Sequence, residues 1–173
     1  MNPCKLKLDV EVRWLIRRDI PGVLDIEEKS FECGWTEEAF LSCLRQRNCI
    51  GMVAEWHERI LGFMVYELLK DQIHLLNFAV APWVLRKSVG SQMVDKLIRK
   101  LSQQRRREII LEVRESNLPA QLFFREQGFL ASGILKDYYE DTTEDAYEMR
   151  YVVEGVLHPS FSLSNRLAGC WAA

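Results

Sequence analysis

The order of apolar and polar residues along the 173-residue chain predicts a mixture of strands and helices. Alternating or β-branched runs typical of strands cover 10–17, 49–56, 59–69, 72–80, 108–114, 129–139 and 146–153. Apolar residues at helical spacing cover 19–31, 35–46, 88–104 and 117–128. Only short polar turns separate the three consecutive strands between 49 and 80, so an antiparallel meander is expected there.

Signals at the helix ends support these boundaries. Asp19 stands where a cap for the first helix is expected, and Thr36 precedes two glutamates at the start of the second. Pro119 lies in the first turn of the last helix, and Gly128 follows its end. The resulting order is strand, two helices, three strands, helix, strand, helix, two strands.

This order predicts an α/β (α+β) fold in one domain. A mixed, mostly antiparallel sheet of about seven strands, with helices on both faces, would bury all segments in one core. The unit from 72 to 114 is a β-α-β crossover, whose two strands should be parallel. We assign residues 1–155 to this domain and 156–173 to a C-terminal tail without a predicted role.

Composition excludes several classes of protein. The chain is 48% hydrophobic and 28% charged, as expected of a chain with a normal core, and its net charge is −2. Nothing global therefore draws it to nucleic acid or to an anionic membrane, and no segment is long and apolar enough to span a bilayer. We expect a cytoplasmic protein, monomeric or weakly dimeric, with neither nucleic acid nor membrane as a partner.

The five cysteines are odd in number and scattered, with no C-x-x-C pair and no zinc-like spacing. We interpret them as free thiols in a reducing compartment, and we expect no bound metal. His57 and His74 have no ligand-like neighbours in the sequence, so neither is assigned to a metal.

The turn at 85–94, "LRKSVGSQMV", lies between a predicted strand and a predicted helix. Backbone N–H groups and the helix dipole favour an anion at such a turn. Gly90 is its only glycine, between Ser88 and Ser91. From the residues alone, the turn is either a phosphate-binding loop or an ordinary helix start with a serine cap.

Three stretches together resemble the GNAT family of N-acetyltransferases, and within it the ribosomal-protein alanine N-acetyltransferases. They are "NFAVAPWVLRKSVGSQMVDKLI", "LEVRESNLPAQLFFREQGF" and "KDYYEDTTEDAYEMRYVV", and the likeness covers residues 10 to 153. It implies direct transfer from acetyl-CoA to a protein or peptide N-terminal amine, a ribosomal protein being one candidate acceptor. The alternatives are a small-molecule amine as acceptor, or an acyl-CoA-binding module that has lost catalysis.

The resemblance also implies a binding site for acetyl-CoA. The loop would hold the pyrophosphate, Asn117 would contact the pantetheine arm, and the backbone of one strand would pair with its amides. Ser88 stands at the family's first glycine, and a serine suffers there only if φ must be positive. The residues concerned are Phe78, Ala79, Val80, Arg86, Lys87, Ser88, Val89, Gly90, Ser91 and Asn117.

Glu112 matches the family's general base. Its reference pKa of about 4.3 is far below that of an amine, so it must be raised by burial, or the residue must act through water. The alternative is a strand glutamate paired with Arg114 or another cation. Phe124 occupies the position of the family's tyrosine acid. The reaction therefore proceeds without an acid, or Tyr138 or Tyr139 replaces it.

The acceptor is expected between the first two helices and the last two strands. The resemblance places Trp35, Tyr138 and Tyr139 at this groove, although each could instead pack in the core or the sheet. The acidic residues of the last loop would either attract a cationic N-terminus or form a solvated turn; they are Glu140, Asp141, Glu144 and Asp145.

Overall fold

The structure, a computed structural model, describes residues 7–103 and 106–153. Seven strands are present: β1 Glu11–Trp14, β2 Cys49–Trp56, β3 Arg59–Leu68, β4 Gln72–Val80, β5 Glu108–Arg114, β6 Leu130–Tyr139 and β7 Glu144–Val152. The helices are α1 Ile20–Ser30, α2 Glu37–Leu44, α3 Val89–Gln103 and α4 Leu118–Glu126. The predicted order of elements is confirmed. The tail, 156–173, lies outside the described residues, so the boundary at 155 stays a prediction.

All seven strands form one sheet in the order β1-β2-β3-β4-β5-β7-β6. Every neighbouring pair is antiparallel except β4 and β5, which are parallel as the crossover predicted. Successive residues of β3 show that helices cover both faces. A Cβ on Gly62 would lie 2.8 Å from the Met93 sulfur of α3, whereas the Phe63 ring lies 5.5 Å from Phe40 of α2. Because neighbouring strand residues point to opposite faces, α2 and α3 lie on opposite sides.

The parallel pairing of β4 with β5 is short. It joins Gln72 to Glu108, Ile73 to Ile109 and His74 to Ile110, and then stops. Beyond this point β4 stays paired with β3, and β5 with β7, so the two strands diverge. An irregularity in β4 begins near the same place, where the register with β3 leaves one extra residue between Leu75 and Asn77. The sheet therefore opens at its centre.

The predicted cap of α2 is confirmed, and the predicted cap of α1 is wrong. The Thr36 hydroxyl accepts a hydrogen bond from the Ala39 N–H at 3.2 Å, as a cap should. Asp19 does not cap α1. Its carboxylate accepts from the Ile16 N–H at 2.9 Å and from the Arg13 guanidinium at 2.7 Å, because a nearly buried carboxylate is better stabilised by a cation than by one amide.

The expectation that all cysteines are free thiols is wrong for two of them. Cys43, near the end of α2, and Cys49, the first residue of β2, form a disulfide with Cα atoms 6.1 Å apart. The short turn between these elements brings them together, a proximity that their sequence spacing did not signal. Cys33 is free and exposed. Cys4 and Cys170 lie outside the described residues. None of the described helices is long and apolar enough to cross a membrane.

Candidate active site

A cleft lies where β4 and β5 part. Its walls are the diverging halves of these strands, the segment joining α1 to α2, the start of α4 and the end of β6. The lining residues are Glu27, Phe31, Cys33, Trp35, Leu75, Leu76, Asn77, Phe78, Leu111, Glu112, Val113, Arg114, Asn117, Ala120, Phe124 and Tyr139. The structure thus brings together six of the residues that the sequence assigned to a site: Trp35, Phe78, Glu112, Asn117, Phe124 and Tyr139.

Glu112 projects from β5 into this cleft, and its side chain is 12% exposed. Its partner is His74 of β4, whose Nε2 lies 2.7 Å from a carboxylate oxygen of Glu112. Arg114, the cation considered as an alternative partner, instead contacts Asp141 at 2.7 Å and Glu144 at 3.2 Å. The hydrogen bond to Glu112 raises the pKa of His74, and burial opposes this effect. The sequence analysis did not anticipate this pairing of His74 with Glu112.

Asn117 has two functions in the structure. Its side-chain oxygen accepts a hydrogen bond from the Ala120 N–H at 3.1 Å, which caps α4, and the residue also lines the cleft. The helix start is therefore fixed at the cleft wall, and a ligand in the cleft would meet the positive end of the α4 dipole.

The loop before α3 has an unusual backbone. Arg86 and Ser88 both have positive φ, 62° and 65°. The Ser88 carbonyl accepts hydrogen bonds from Gln92, and the Lys87 carbonyl accepts one from the Leu8 N–H. No hydrogen bond joins the Ser88 hydroxyl to any residue in 7–103 or 106–153, so the simple serine cap finds no support in the structure.

The first turn of α3 leaves backbone donors free. Within the described ranges, the N–H groups of Val89, Gly90 and Ser91 have no acceptor, as expected at a helix start. A Cβ on Gly90 would lie 3.0 Å from the Phe123 ring, so glycine permits α3 to approach α4 closely. Arg86 and Lys87, which precede these donors, are exposed. The loop does not line the cleft, and neither do Ala79 and Val80.

Phe124 is 5% exposed and packs among three other phenylalanines. Its ring centroid lies 5.5 Å from that of Phe78, 5.1 Å from Phe123 and 5.3 Å from Phe129. The position that the family gives to an acid is therefore part of an apolar wall of the cleft.

The two tyrosines of β6 are placed differently. Tyr139 lines the cleft, with the Arg114 guanidinium 3.8 Å from its ring centroid, and burial raises its pKa to about 12. Tyr138 is 44% exposed and is not part of the cleft wall. Asp137 has a φ of 49° at the irregular end of β6. Of the two predicted acid candidates, only Tyr139 faces the cleft.

Sequence reasoning missed a buried carboxylate, Glu27. Its side chain accepts from the Trp35 N–H at 2.6 Å and from the Asn77 amide at 3.1 Å. Burial raises its pKa, and these hydrogen bonds oppose the rise. Gly34 allows the α1–α2 segment to approach, since a Cβ there would lie 2.8 Å from the Glu27 side chain. The available signals were an acid four residues after Val23 on the apolar stripe of α1, and an amide at a buried position of β4.

The acidic loop between β6 and β7 is mostly neutralised by the chain itself. Arg114 binds Asp141 and Glu144, and Lys136 binds Asp145. Three of the four predicted acids are thus paired with cations of the chain itself. Among the described residues, no group of three or more histidines, cysteines and acids is arranged to hold a metal ion.

Known proteins resemble this chain in sequence and in fold. The sequence pattern of the acetyltransferase (GNAT) family matches residues 14–129. The chain belongs to the GNAT family. It is 30% identical over 145 residues to a protein of Bacillus subtilis named as a putative ribosomal protein bS18-alanine N-acetyltransferase, covering 83% of this chain and 96% of that one.

Solved structures of the family share the fold. The Escherichia coli ribosomal-protein-S18-alanine N-acetyltransferase superposes with a TM-score of 0.74 at 25% identity, covering 87% of this chain and 100% of that one. NAA60 of Arabidopsis thaliana, solved with acetyl-CoA, has a TM-score of 0.73 at 15% identity, covering 84% and 100%; at this identity the likeness concerns the fold alone. The protein is an N-acetyltransferase of the GNAT family.

Proposed function

We propose that this acetyltransferase moves the acetyl group of acetyl-CoA directly to the N-terminal α-amine of a protein, a ribosomal protein of the cytoplasm being the favoured acceptor. The observation that carries the proposal is the Glu112 carboxylate, which faces the cleft between β4 and β5. The relatives named for acetylation of ribosomal protein bS18 support this acceptor.

The acetyl donor would lie along the free side of β4. The end of this strand, from Leu75 to Val80, has no β5 partner, so backbone donors and acceptors on that side are available to the amides of an extended ligand. The free N–H groups at the start of α3 would bind the pyrophosphate, with Arg86 and Lys87 beside them. This arrangement fits acetyl-CoA, which carries amides, a pyrophosphate and a thioester in one chain.

Transfer begins when the ammonium of the acceptor loses a proton to Glu112. The amine nitrogen attacks the thioester carbon, the C–S bond breaks as the thiolate leaves, and the nitrogen loses its second proton to water. Tyr139 is the proposed donor of a proton to that thiolate, because it lines the cleft and Phe124 cannot donate. The acceptor would enter beside the α1–α2 segment, where Trp35 and the buried Glu27 form the wall.

An acetyl-CoA turnover assay tests the proposal. We expect acetylation of peptides with a free N-terminal alanine. No acetylation is expected for the same peptides with a blocked N-terminus and a free lysine. Turnover of small amines alone would favour the alternative acceptor class, and binding of acetyl-CoA without any turnover would indicate a module without catalysis. Glu112→Gln should lower kcat by roughly 10²-fold or more with acetyl-CoA affinity nearly unchanged.

A further inference from the structure

Gln92, near the start of α3, joins this helix to the segment that precedes β1. Its Nε2 group donates to the Leu8 carbonyl at 2.6 Å and to the Ser88 carbonyl at 3.0 Å. Its Oε1 atom accepts from the Val10 N–H at 3.2 Å. Both amide hydrogens thus face carbonyl oxygens and the amide oxygen faces a donor, so a reversed amide would lose all three hydrogen bonds. One half-buried side chain therefore connects positions that lie 82 and 84 residues apart along the chain.

The segment before β1 has its own anchor in the protein. Leu8 and Val10 are partly buried apolar residues that pack against the hydrophobic core. The Leu8 N–H donates to the Lys87 carbonyl at 3.1 Å. The segment therefore holds two carbonyls of the loop before α3, that of Lys87 directly and that of Ser88 through Gln92.

These two contacts fix the direction of backbone donors in the loop. Within the described ranges all peptide bonds are trans, and in a trans peptide unit the C=O and the following N–H point in opposite directions. Because the Lys87 carbonyl points to Leu8, the Ser88 N–H points away from the segment before β1. Because the Ser88 carbonyl points into α3 toward Gln92, the Val89 N–H points out of the helix start. The loop thus presents its N–H groups to a ligand because its carbonyls are held on the opposite side.

The loop requires such support, because its backbone is strained. Arg86 and Ser88 have φ angles of 62° and 65°, in the left-handed region that a residue with a Cβ rarely adopts. Conformations of this kind persist only where the surrounding contacts over-determine them. The contacts to the Lys87 and Ser88 carbonyls act at this strained stretch.

We propose that Gln92, together with Leu8 and Val10, holds the loop before α3 in the conformation that binds the pyrophosphate of acetyl-CoA. Gln92 is a positioning residue, since both hydrogens of its amide are already bound and it acts through the backbone of the loop. This inference rests on the proposed function. It adds the segment before β1, on the far side of the sheet from β5, to the elements on which the affinity for the acetyl donor depends.

Gln92→Met tests this role, because methionine keeps the length of the side chain but makes none of the three hydrogen bonds. We expect calorimetric titration to show a Kd for acetyl-CoA roughly 3–10-fold higher, the effect of about one net hydrogen bond. The physical reason is that part of the population then holds the loop outside its binding conformation. At saturating acetyl-CoA, kcat should stay at the wild-type level. Gln46→Met, at an exposed glutamine between α2 and β2, is the matched control and should leave the Kd unchanged.

Shortened acetyl donors separate this role from a general effect on the fold. The donor 3′-dephospho-acetyl-CoA keeps the pyrophosphate, whereas S-acetylpantetheine lacks it. Gln92→Met should lower kcat/KM by the same factor with acetyl-CoA and with 3′-dephospho-acetyl-CoA, and should leave it unchanged with S-acetylpantetheine. An equal loss with all three donors, or no loss with any, would overturn the proposal. A loss confined to acetyl-CoA would place the effect at the 3′-phosphate and would overturn it as well.

Hydrogen exchange in the wild-type protein tests the coupling without any substitution. Coenzyme A should slow exchange of the Leu8 and Val10 amides, because their hydrogen bonds lead to the loop although neither residue belongs to it. The Leu15 amide, which donates to the Gly51 carbonyl at 3.0 Å just after β1, is the control and should not change. Slowing at all three amides alike, or at none, would refute the coupling even if the substituted proteins failed to fold.

The outcomes separate two failures. If the wild type neither binds acetyl-CoA nor acetylates any peptide, the proposed function falls, and this inference with it. If the wild type binds acetyl-CoA and Gln92→Met matches it in Kd and in kcat/KM with every donor, only the role of Gln92 is refuted. Thermal unfolding of Gln92→Met checks that the variant is folded at the temperature of these measurements.

Discussion

Replacement of Ser88 by glycine should make the protein more stable. Ser88 has a φ of 65° and no side-chain hydrogen bond to any residue in 7–103 or 106–153. A residue with a Cβ in the left-handed region costs roughly 1–2 kcal/mol. Glycine also gives the unfolded chain more conformational freedom, which lowers the free energy of unfolding by about 0.4–1 kcal/mol. The difference predicts a gain in the free energy of unfolding of about 0.5–1 kcal/mol.

Thermal and urea unfolding measure this gain. For a chain of this size, about 1 kcal/mol corresponds to a rise in Tm of roughly 2–4 °C, so Ser88→Gly should raise Tm by about 1–4 °C. Ser88→Ala is the matched control, because alanine keeps the Cβ and the strain and should give no such gain. Glu58→Gly, at a φ of 62° in the β2–β3 turn and outside the cleft lining, is a reference for the same backbone effect.

Acetyl-CoA affinity, measured by calorimetric titration, should stay the same or improve in Ser88→Gly, because the backbone N–H groups of the loop are retained. The reasoning is refuted if Ser88→Gly is no more stable than Ser88→Ala while Glu58→Gly does gain stability. That result would mean that the loop is relaxed at Ser88 in solution. A loss of acetyl-CoA affinity with unchanged stability would instead show that the Ser88 hydroxyl contacts the ligand.

Three further predictions concern the cleft. Tyr139→Phe should lower kcat by roughly 10²-fold if it is the acid, whereas Tyr138→Phe should leave kcat unchanged; equal effects would contradict the assignment. Phe124→Tyr should raise kcat, by less than about 10²-fold, and a flat kcat would mean that thiolate departure does not limit the rate. Protonated Glu27 stabilises the fold at acid pH, and this contribution is lost as the pH rises through the raised pKa of Glu27. Glu27→Gln should therefore flatten the pH dependence of the free energy of unfolding in urea over that range. An unchanged profile would show that Glu27 is not buried in solution.

The sequence predicted most of the fold because local patterns decide it. The strands β2, β4 and β5 begin and end where alternation and polar turns placed them, and Thr36 and Pro119 marked helix starts that the structure keeps. The parting of β4 from β5 was not predictable, since nothing in either strand marks the residue at which their pairing stops. The point of parting depends on how far the parallel pairing extends, and no pattern of residues predicts that length.

The candidate site was predicted in part, and more from the resemblance to the family than from the physical chemistry of the residues. Glu112, Asn117 and Tyr139 were found by their match to the family, and the structure brings them to one cleft. The His74–Glu112 pair and the Glu27–Asn77 contact were missed, since each joins residues far apart in the chain. The disulfide between Cys43 and Cys49 was missed for a different reason, because an odd and scattered set of cysteines favoured free thiols.

The short pairing of β4 with β5 has a consequence for cooperativity. The sheet consists of two halves, β1 to β4 and β5 to β7, joined along one seam by only three residue pairs. Each half is held by longer antiparallel ladders. Opening at the seam is therefore the local unfolding step that separates the fewest residue pairs between neighbouring strands. A ligand that bridges the seam acts as a missing length of strand, so its binding should slow hydrogen exchange on both sides at once.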